Sequence, residues 1–286
     1  MWNTSPQNGQ RRRVRMTRRG VLVLVGCLAV AVATAVLVPL VLLRQAPSPE
    51  KPRMLVIPEG WRSGQVYAAM DKALAVPAGT TRGAAARAGL KLPAAARGNP
   101  EGFLFPATYP VTSTTTPESL LRYMVTTADR RFGAGGTTAG SPNTSASSPT
   151  GGLYEAVTIA SIVQAEADTA ADMGKVARVV RNRLAQGMAL QMDSTLNYAL
   201  DRNTVDTTHE DTRIENPYNT YNRPGLPPTP IANPGEEAMR AATQPTPGDW
   251  LYFVSVAPGD TRFTADYQEH LANVEEFNTR RRTTTS

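Results

Sequence analysis

The feature that most constrains this chain is a run of 24 residues, Gly20 to Leu43, which contains no charged side chain and consists mostly of Val, Leu and Ala. As an α-helix the run would extend about 36 Å, more than the ~30 Å hydrocarbon core of a bilayer. A cleaved signal sequence has a shorter apolar core of about 7–15 residues and ends in small residues, whereas this run ends in Leu-Leu-Arg. The pattern predicts an uncleaved, single transmembrane helix at residues 20–43.

The distribution of charge sets the orientation of that helix and excludes one class of partner. Six of the 30 Lys and Arg residues precede the apolar run, and no acidic residue does. Basic residues stay on the cytoplasmic side of a membrane, so residues 1–19 are predicted to be a cytoplasmic basic tail and residues 44–286 to lie outside the cell membrane. The other 24 basic residues balance 24 acidic ones, so no nucleic-acid-binding surface is indicated.

Composition also argues against a cofactor or a metal. The only cysteine, Cys27, lies in the apolar run, and the two histidines are His209 and His270. An intrachain disulfide is excluded, and a His- or Cys-based zinc site is disfavoured. No glycine-rich nucleotide-binding pattern is present, and neither histidine has the context of a catalytic triad. The sequence therefore predicts no cofactor and no metal.

The remainder of the chain reads as two globular modules of mixed α+β class. Helices and strands do not alternate regularly in it, which is typical of α+β rather than α/β folds. The Gly-, Ser- and Thr-rich residues 134–152 cannot form a core and predict a flexible linker with loose coupling between the modules. The predicted segments are a spacer (44–53), a small α/β module (54–133), the linker (134–152), a mixed α+β catalytic domain (153–279) and a tail (280–286).

The local patterns predict specific elements within these modules. Phe103 to Phe105 is expected to be a buried strand and Trp250 to Val256 another. Capping residues and apolar periodicity predict helices that begin or end near proline and glycine. These helices cover a segment that starts at Ser63, and residues 117–132, 153–168, 172–186, 234–243 and 267–278.

One carboxylate stands out in the first helix of the second module. At 100° per residue, Glu166 lies on the same stripe as Ile159, Ile162 and Val163, while Gln164 points almost the opposite way. Burial of a carboxyl group raises its pKa and makes it a plausible general acid. Alternatively, Glu166 ends the helix and simply reaches water.

Other polar groups fall on unusual positions. Arg183 projects between Val176 and Val179 on the apolar side of the next helix, which predicts a buried and paired guanidinium with a structural role. The loop 216–221 carries two tyrosines with Asn219 and Thr220 between them, groups that suit sugar rings and their acetamido arms. Packing of this loop on its own domain is the equal alternative. Asp193 is the best candidate for a second acid.

These motifs together resemble the MltG-type, YceG-like endolytic murein transglycosylases over about residues 54–278. The resemblance is carried by Ile-Pro-Glu-Gly at 57–60, Glu-Gly-Phe-Leu-Phe-Pro-Ala-Thr-Tyr at 101–109, Ala-Ser-Ile-Val-Gln-Ala-Glu-Ala at 160–167, and Asn-Arg-Leu at 182–184. It continues through Leu-Gln-Met-Asp at 190–193, Pro-Tyr-Asn-Thr-Tyr at 217–221 and Pro-Ile-Ala-Asn-Pro-Gly at 230–235. One departure is Gln164, where the family usually has an acid.

The resemblance implies a fold and a function. The first module would be LysM-like, and the protein would be a lyase that cuts the MurNAc–GlcNAc bond within peptidoglycan glycan strands, leaves 1,6-anhydro-MurNAc ends and terminates nascent strands beside peptidoglycan synthases. Because Gln164 replaces the acid of the family motif, Glu166 alone would be the general acid and base. A single acid favours the lyase, because hydrolases normally need two carboxyl groups. The residues that would bind substrate are Asn219, Thr220, Tyr221, Gln191 and Asp193, with Arg183 in structural support.

Two alternatives remain open from the sequence. The chain could be a non-catalytic glycan-binding scaffold of the cell-wall synthesis machinery, with the LysM-like module as its working part. It could also be a muramidase that gives reducing-end products by hydrolysis. We expect Glu166 to line the main cleft of the second module with Asn219 or Tyr221 within reach.

Overall fold

The computed structural model describes residues 31, 32, 34, 35, 37, 51–136, 152–202 and 207–284. Residues 52–286 form one compact unit. The predicted basic tail (1–19) lies outside the described residues, as do nearly all of the predicted transmembrane helix (20–43) and most of the predicted linker (134–152). Within the described part of the chain, no helix has both the length and the apolar character needed to cross a membrane.

The first module is built on a two-stranded antiparallel sheet that encloses two helices in sequence. Leu55 pairs with Tyr109 across the sheet, and both side chains are buried. The following helix adds an apolar face of Leu120, Leu121 and Met124 to the same core. The elements are β1 (Arg53–Val56), α1 (Ser63–Leu74), α2 (Thr80–Ala85), β2 (Thr108–Val111) and α3 (Pro117–Gly136), with a short 3-10 turn at Ala94–Ala96.

The second module is a helical cluster closed on one side by a β-hairpin and a terminal helix. Its first helix is buried on almost every side, since all residues from Ala156 to Val163 are buried. The hairpin and the last helix pack on each other through aromatic rings, including Tyr252 on His270. The elements are α4 (Leu153–Glu166), α5 (Ala170–Ala185), α6 (Asp193–Ala199), α7 (Glu236–Thr243), β3 (Tyr252–Ala257), β4 (Asp260–Thr264) and α8 (Tyr267–Thr284), with a 3-10 turn at Asp211–Arg213.

The mixed α+β class and the helices expected from the sequence are confirmed, with two differences at the C-terminal side of helices. Helix α3 continues from Phe132 to Gly136, and α8 continues through most of the segment predicted as a tail. The extension of α8 is stabilised by ion pairs along the helix, from Arg280 to Glu276 one turn earlier and from Arg282 to Glu275 two turns earlier. Such pairs support exposed helices modestly.

The expectation of a strand at Phe103–Phe105 is wrong. The three side chains are buried as predicted, but the backbone is irregular and the strand lies further on, at β2. The amide of Phe103 donates to the Pro100 carbonyl, and the amide of Leu104 donates to the side chain of Asn233. Because these groups bond within a turn and to the second module, the segment needs no neighbouring strand.

The two modules are joined by a dense interface, so the expectation of loose coupling is wrong for the part of the chain that is described. Gly102 has φ +87°, and a Cβ there would lie 2.6–2.7 Å from Pro230 and Val157. Asn233 is fully buried, with Nδ2 donating to the carbonyl of Trp61. Separation of the two modules would break the hydrogen bonds of this buried amide, which costs free energy.

Candidate active site

Glu166 is the last residue of α4, where the chain leaves the helix for extended backbone at Ala167. The preceding stripe of Ile159, Ile162 and Val163 is fully buried, which fixes the rotation of the helix and brings Glu166 to the edge of the core. The side chain is half-buried there. Both sequence interpretations are therefore partly right, since Glu166 ends the helix and also remains shielded from water.

The carboxyl group of Glu166 is held by the start of α6. Its Oε1 accepts a hydrogen bond from the Ser194 amide at 3.2 Å, and no described residue donates to Oε2. Burial raises the pKa of Glu166; the nearby Asp193 charge adds to the increase, and the hydrogen bonds from Ser194 oppose it. The negative end of the α4 dipole acts in the same direction as burial. Glu166 therefore keeps its proton to a higher pH than an ordinary glutamate.

Glu166 faces a cavity of about 410 Å³ that we call the inner cavity. Part of its lining comes from α5, the segment before α6 and the loop 216–221. The rest of the lining comes from the end of α4, the start of α6, β3 and α8. The polar lining consists of Glu166, Arg183, Gln191, Asp193, Tyr221, His270 and Asn278, and the apolar lining includes Phe253, Val254, Val274 and Phe277.

Tyr221 and Asp193 form a hydrogen-bonded pair in this cavity. The Tyr221 hydroxyl donates to Asp193 Oδ1 at 2.5 Å. Burial raises the pKa of Tyr221, and the Asp193 carboxylate raises it further. The phenol is therefore a neutral donor throughout the physiological range. The prediction that Tyr221 lies in the same cleft as Glu166 is confirmed.

Asn219 and Thr220 lie behind the wall of the cavity and brace it. Asn219 is fully buried, with Nδ2 donating to the carbonyls of Thr212 and Ile214. Thr220 is also buried, and its Oγ1 accepts a hydrogen bond from the amide of Met192. The structure thus differs from the expectation that both side chains contact a ligand, because their polar atoms already hold the loop in place.

Gln191 lines the inner cavity in a strained backbone conformation. Its φ is +51°, a left-handed value that costs a non-glycine residue about 1 kcal/mol. The strain is offset by a backbone hydrogen bond from the Gln191 amide to the Thr220 carbonyl and by a side-chain bond from Arg183. These contacts aim the Gln191 amide group at the cavity.

Arg183 is buried and paired, as its position on the apolar side of α5 predicted. Its Nε donates to the Leu251 carbonyl at 2.7 Å and its Nη1 to the Leu190 carbonyl at 2.7 Å. The guanidinium also stacks over the Tyr252 ring. Arg183 therefore ties α5 to the segment before α6 and to β3, and its backbone partners indicate a structural role.

The sequence did not identify His270 as part of this site. Its imidazole lines the inner cavity, is stacked on Tyr252 with the ring centres 5.1 Å apart, and has a buried Nδ1 with no hydrogen-bond partner in the described chain. Burial lowers the pKa of His270, and the Arg183 charge lowers it further. Its position on α8, more than 100 residues after Glu166, left no local signal.

A second cavity, of about 660 Å³, also opens onto Glu166, and we call it the hairpin cavity. One side carries two acids, Asp168 and Asp172, from the loop and first turn that follow α4. The other side comes from the β3–β4 hairpin and from α8, which adds Arg280 and Arg281. Glu166 thus lies where two cavities meet.

Gln164, the departure from the family pattern, lies away from both cavities. Its Oε1 accepts a hydrogen bond from the Gly235 amide at 2.9 Å, at the interface with the first module near Gly60. An amide serves this role as well as a carboxylate would. Within the described ranges, no group of three or more His, Cys, Asp or Glu side chains is placed to hold a metal ion.

Comparison with known proteins gives consistent matches. A profile of the YceG-like family matches residues 34–276. The chain is 34% identical over 178 residues to a Bacillus subtilis protein named endolytic murein transglycosylase, covering 62% of this chain and 48% of that protein. A Streptococcus pneumoniae protein of the same name is 34% identical over 182 residues, covering 62% of this chain and 32% of that protein. The chain therefore spans about half or less of these relatives.

A solved structure supports the same fold. The crystal structure of a YceG-like protein from Listeria monocytogenes is similar to this chain with a TM-score of 0.67 and 28% sequence identity. The alignment covers 77% of this chain and 75% of that protein.

Proposed function

This chain belongs to the YceG-like family, and from that membership we propose that it is a membrane-anchored endolytic lytic transglycosylase of peptidoglycan. It cuts the MurNAc–GlcNAc bond within glycan strands and leaves 1,6-anhydro-MurNAc ends. The names of the B. subtilis and S. pneumoniae relatives support this activity. The observation that carries the proposal is the half-buried Glu166, whose pKa is raised by burial, at the meeting point of two cavities.

The chemistry needs one carboxyl group that acts twice. Protonated Glu166 donates its proton to the glycosidic oxygen as the C1–O bond of MurNAc breaks, so GlcNAc leaves with a free 4-hydroxyl. The resulting carboxylate then takes the proton of the MurNAc 6-hydroxyl as its oxygen bonds to C1. No water is consumed, and Glu166 returns to its protonated state. A raised pKa suits the first step, and general acid–base catalysis of this kind contributes about 10²–10⁴ in rate.

The free Oε2 of Glu166 is the atom we assign to proton transfer, because Oε1 already accepts from Ser194. Tyr221 and Gln191 line the inner cavity as donors for sugar oxygens and acetamido groups. Asp193 orients Tyr221 through their short hydrogen bond. We assign Asn219, Thr220 and Arg183 to holding these groups in place rather than to contact with the sugar.

The rest of the chain fits the same activity. We assign residues 54–133 to a LysM-like module, because β1, α1, α2 and β2 follow one another in the order strand–helix–helix–strand. Residues 20–43 would be the single-pass anchor, with residues 1–19 in the cytoplasm. An enzyme held at the outer face of the cell membrane would meet strands as synthases extend them, which fits a terminator of glycan elongation.

A muramidase hydrolase is the second candidate, and Asp193 is the observation that favours it. Its carboxylate lies in the same cavity as Glu166 and is close enough to raise the pKa of Glu166, as in two-carboxylate glycosidases. The strong hydrogen bond from Tyr221 occupies one oxygen of Asp193, which weakens it as a nucleophile or base and favours the lyase.

The test is to incubate the full chain in detergent with uncrosslinked glycan strands and to identify the products by mass spectrometry. Terminal muropeptides lighter by one water than hydrolysis products, and absent with Glu166→Gln, would establish the lyase. Reducing-end products would establish the muramidase instead. Binding of strands by both proteins without any cleavage by either would favour the glycan-binding scaffold.

A further inference from the structure

The hairpin cavity carries charges that a bare glycan strand does not use. Its two acids, Asp168 and Asp172, lie on the segment that leaves the end of α4, next to Glu166. Its two basic residues, Arg280 and Arg281, come from the last turns of α8. The backbone of N-acetylated sugars is uncharged apart from the lactyl carboxyl, which is amide-linked when a peptide is attached. A cavity with both signs of charge is suited to a ligand that carries both signs as well.

The acidic side of the cavity is preorganised. Asp172 lies in the first turn of α5, and one of its carboxylate oxygens accepts the Thr169 hydroxyl at 3.0 Å. Lys175 lies 3.9 Å from the other oxygen, a long and partly exposed contact of little energy. Asp168 is exposed at the mouth of the cavity. An ammonium group that enters here would meet two carboxylates.

The basic side is held by neighbours on α8. Arg280 donates to Glu276 at 2.6 Å, but Glu276 also accepts two hydrogen bonds from Arg262, so one carboxylate is shared between two guanidinium groups. Arg281 lies over the Phe277 ring at 5.5 Å. Both arginine head groups remain exposed, and guanidinium groups bind carboxylates in two-pronged geometry.

We propose that the hairpin cavity binds the peptide stem of the muramic acid residue at the cleavage site, a zwitterionic peptide with carboxylates and a free amino group. This inference rests on the proposed function and names the form of its substrate. Glu166 lines both cavities, so a stem in the hairpin cavity places the sugar that bears it beside the proton donor. The stem carboxylates then face Arg280 and Arg281, and the amino group of the diamino acid faces Asp168 and Asp172.

The direct test compares two substrates with the full chain in detergent. Glycan strands are prepared with stems intact, and one portion is treated with an amidase that removes the stems. We expect kcat/KM to be at least about tenfold higher on stem-bearing strands, which corresponds to about 1.4 kcal/mol, because the charge-assisted contacts to the stem are lost when it is removed. Equal kcat/KM on the two substrates would overturn the inference while leaving the lyase activity established.

Variants separate the cavity from general damage to α8. The double substitution Arg280→Gln and Arg281→Gln should lower kcat/KM about tenfold on stem-bearing strands and leave the value on stripped strands unchanged. Arg282→Gln is the matched control, because Arg282 lies on the same turn, pairs with Glu275 and does not line the cavity; it should change neither value. A double variant that loses the same factor on both substrates would contradict the proposal.

A binding measurement keeps the inference testable if no strand is cleaved. The tripeptide L-alanyl-γ-D-glutamyl-meso-diaminopimelate and its lysine counterpart are titrated into the full-length Glu166→Gln variant. Binding of either peptide that is lost with the two arginine substitutions would support the stem site even if the lyase activity failed. Absence of binding by both peptides, together with equal cleavage of the two strand types, would end the proposal.

Discussion

Two carboxyl groups that are shielded from water, the buried Glu101 at the interface of the modules and the half-buried Glu166 at the cavities, differ in their hydrogen-bond partners. Burial raises the pKa of both. Glu101 is the more completely enclosed and accepts hydrogen bonds from the Ser63 amide, the Asn233 side chain and the Tyr198 hydroxyl. Both oxygens of Glu101 therefore have hydrogen-bond partners that the protein supplies.

Glu166, in contrast, has one carboxyl oxygen that accepts no hydrogen bond from a described residue. The Ser194 amide donates to Oε1 at 3.2 Å, and Oε2 has no hydrogen-bond partner among the described residues. A buried polar group without partners costs free energy in the folded state. The comparison teaches that burial alone does not mark a catalytic acid; burial combined with an unfilled hydrogen bond beside a cavity does.

The largest expected effect is on catalysis by Glu166→Gln. The substitution removes the transferable proton and should lower kcat about 10³-fold, measured by the release of anhydro-ended muropeptides. Stability should change in the opposite sense. A carboxyl whose folded pKa is raised contributes stability that is present at low pH and lost as pH rises through the folded pKa, so the amide should raise the urea midpoint at pH 8 but not at pH 4.

A Glu166→Gln variant that keeps more than about a tenth of the activity would break the comparison, because Glu166 would then resemble Glu101 in function.

The next effect is on folding, through Glu101. Glu101→Ala leaves the Ser63 amide and the Asn233 side chain without their acceptor and should lower the free energy of unfolding by about 3 kcal/mol. Glu101→Gln keeps one acceptor oxygen for both donors and can donate to Tyr198, so it should cost about 1 kcal/mol. Urea denaturation measures both. Equal losses in the two variants would show that the acceptor oxygen kept by Gln does not stabilise the fold.

A third prediction concerns pH and sharpens the account of Glu166. The general acid must be protonated, so activity should fall as pH rises through its pKa. The Asp193 charge raises that pKa, and Asp193→Asn should therefore move the alkaline limb of the kcat profile to lower pH. Ser255→Ala in the hairpin cavity is the control, and the alkaline limb of its kcat profile should not move. If the alkaline limb moved to higher pH in Asp193→Asn, the Asp193 charge could not be what raises the pKa of Glu166.

The smallest effect is expected from Tyr198→Phe. It removes the hydroxyl that donates to Glu101 at 3.2 Å and should lower the free energy of unfolding by about 1 kcal/mol. Tyr154→Phe is matched to it, because the Tyr154 hydroxyl makes a bond of the same length to the Pro228 carbonyl at an exposed position. The control should lose less. If both variants lose the same free energy of unfolding, the burial of Glu101 does not strengthen its hydrogen bond with Tyr198.

Much of this site was predictable from local patterns. The position of Glu166 followed from the helical stripe of α4, and the burial of Arg183 followed from the stripe of α5, because both depend only on residues within two turns. Tyr221 was predicted as one of several polar residues in a loop. Which loop residue faces the cavity depends on the bonds that Asn219 and Thr220 make to distant segments, and no spacing in the sequence records those.

Two further parts required tertiary structure. His270 reaches the inner cavity because α8 packs on β3, and the Ser194 amide reaches Glu166 because α6 begins beside the end of α4. The buried segment Phe103–Phe105 has the composition of a strand, yet its amides bond across the module interface instead. In each case the deciding partner lies far away along the chain.

Helix α6 has consequences for genetics. It has only seven residues, about 10 Å of length, yet Ser194 near one end holds Glu166 and Tyr198 near the other holds Glu101 of the first module. A selection for inactive alleles should therefore recover substitutions around Glu101 as well as around Glu166. Inactive alleles around Glu101 should be rescued by second-site substitutions that restore the position of α6. No such suppressor should exist for the loss of Glu166 itself.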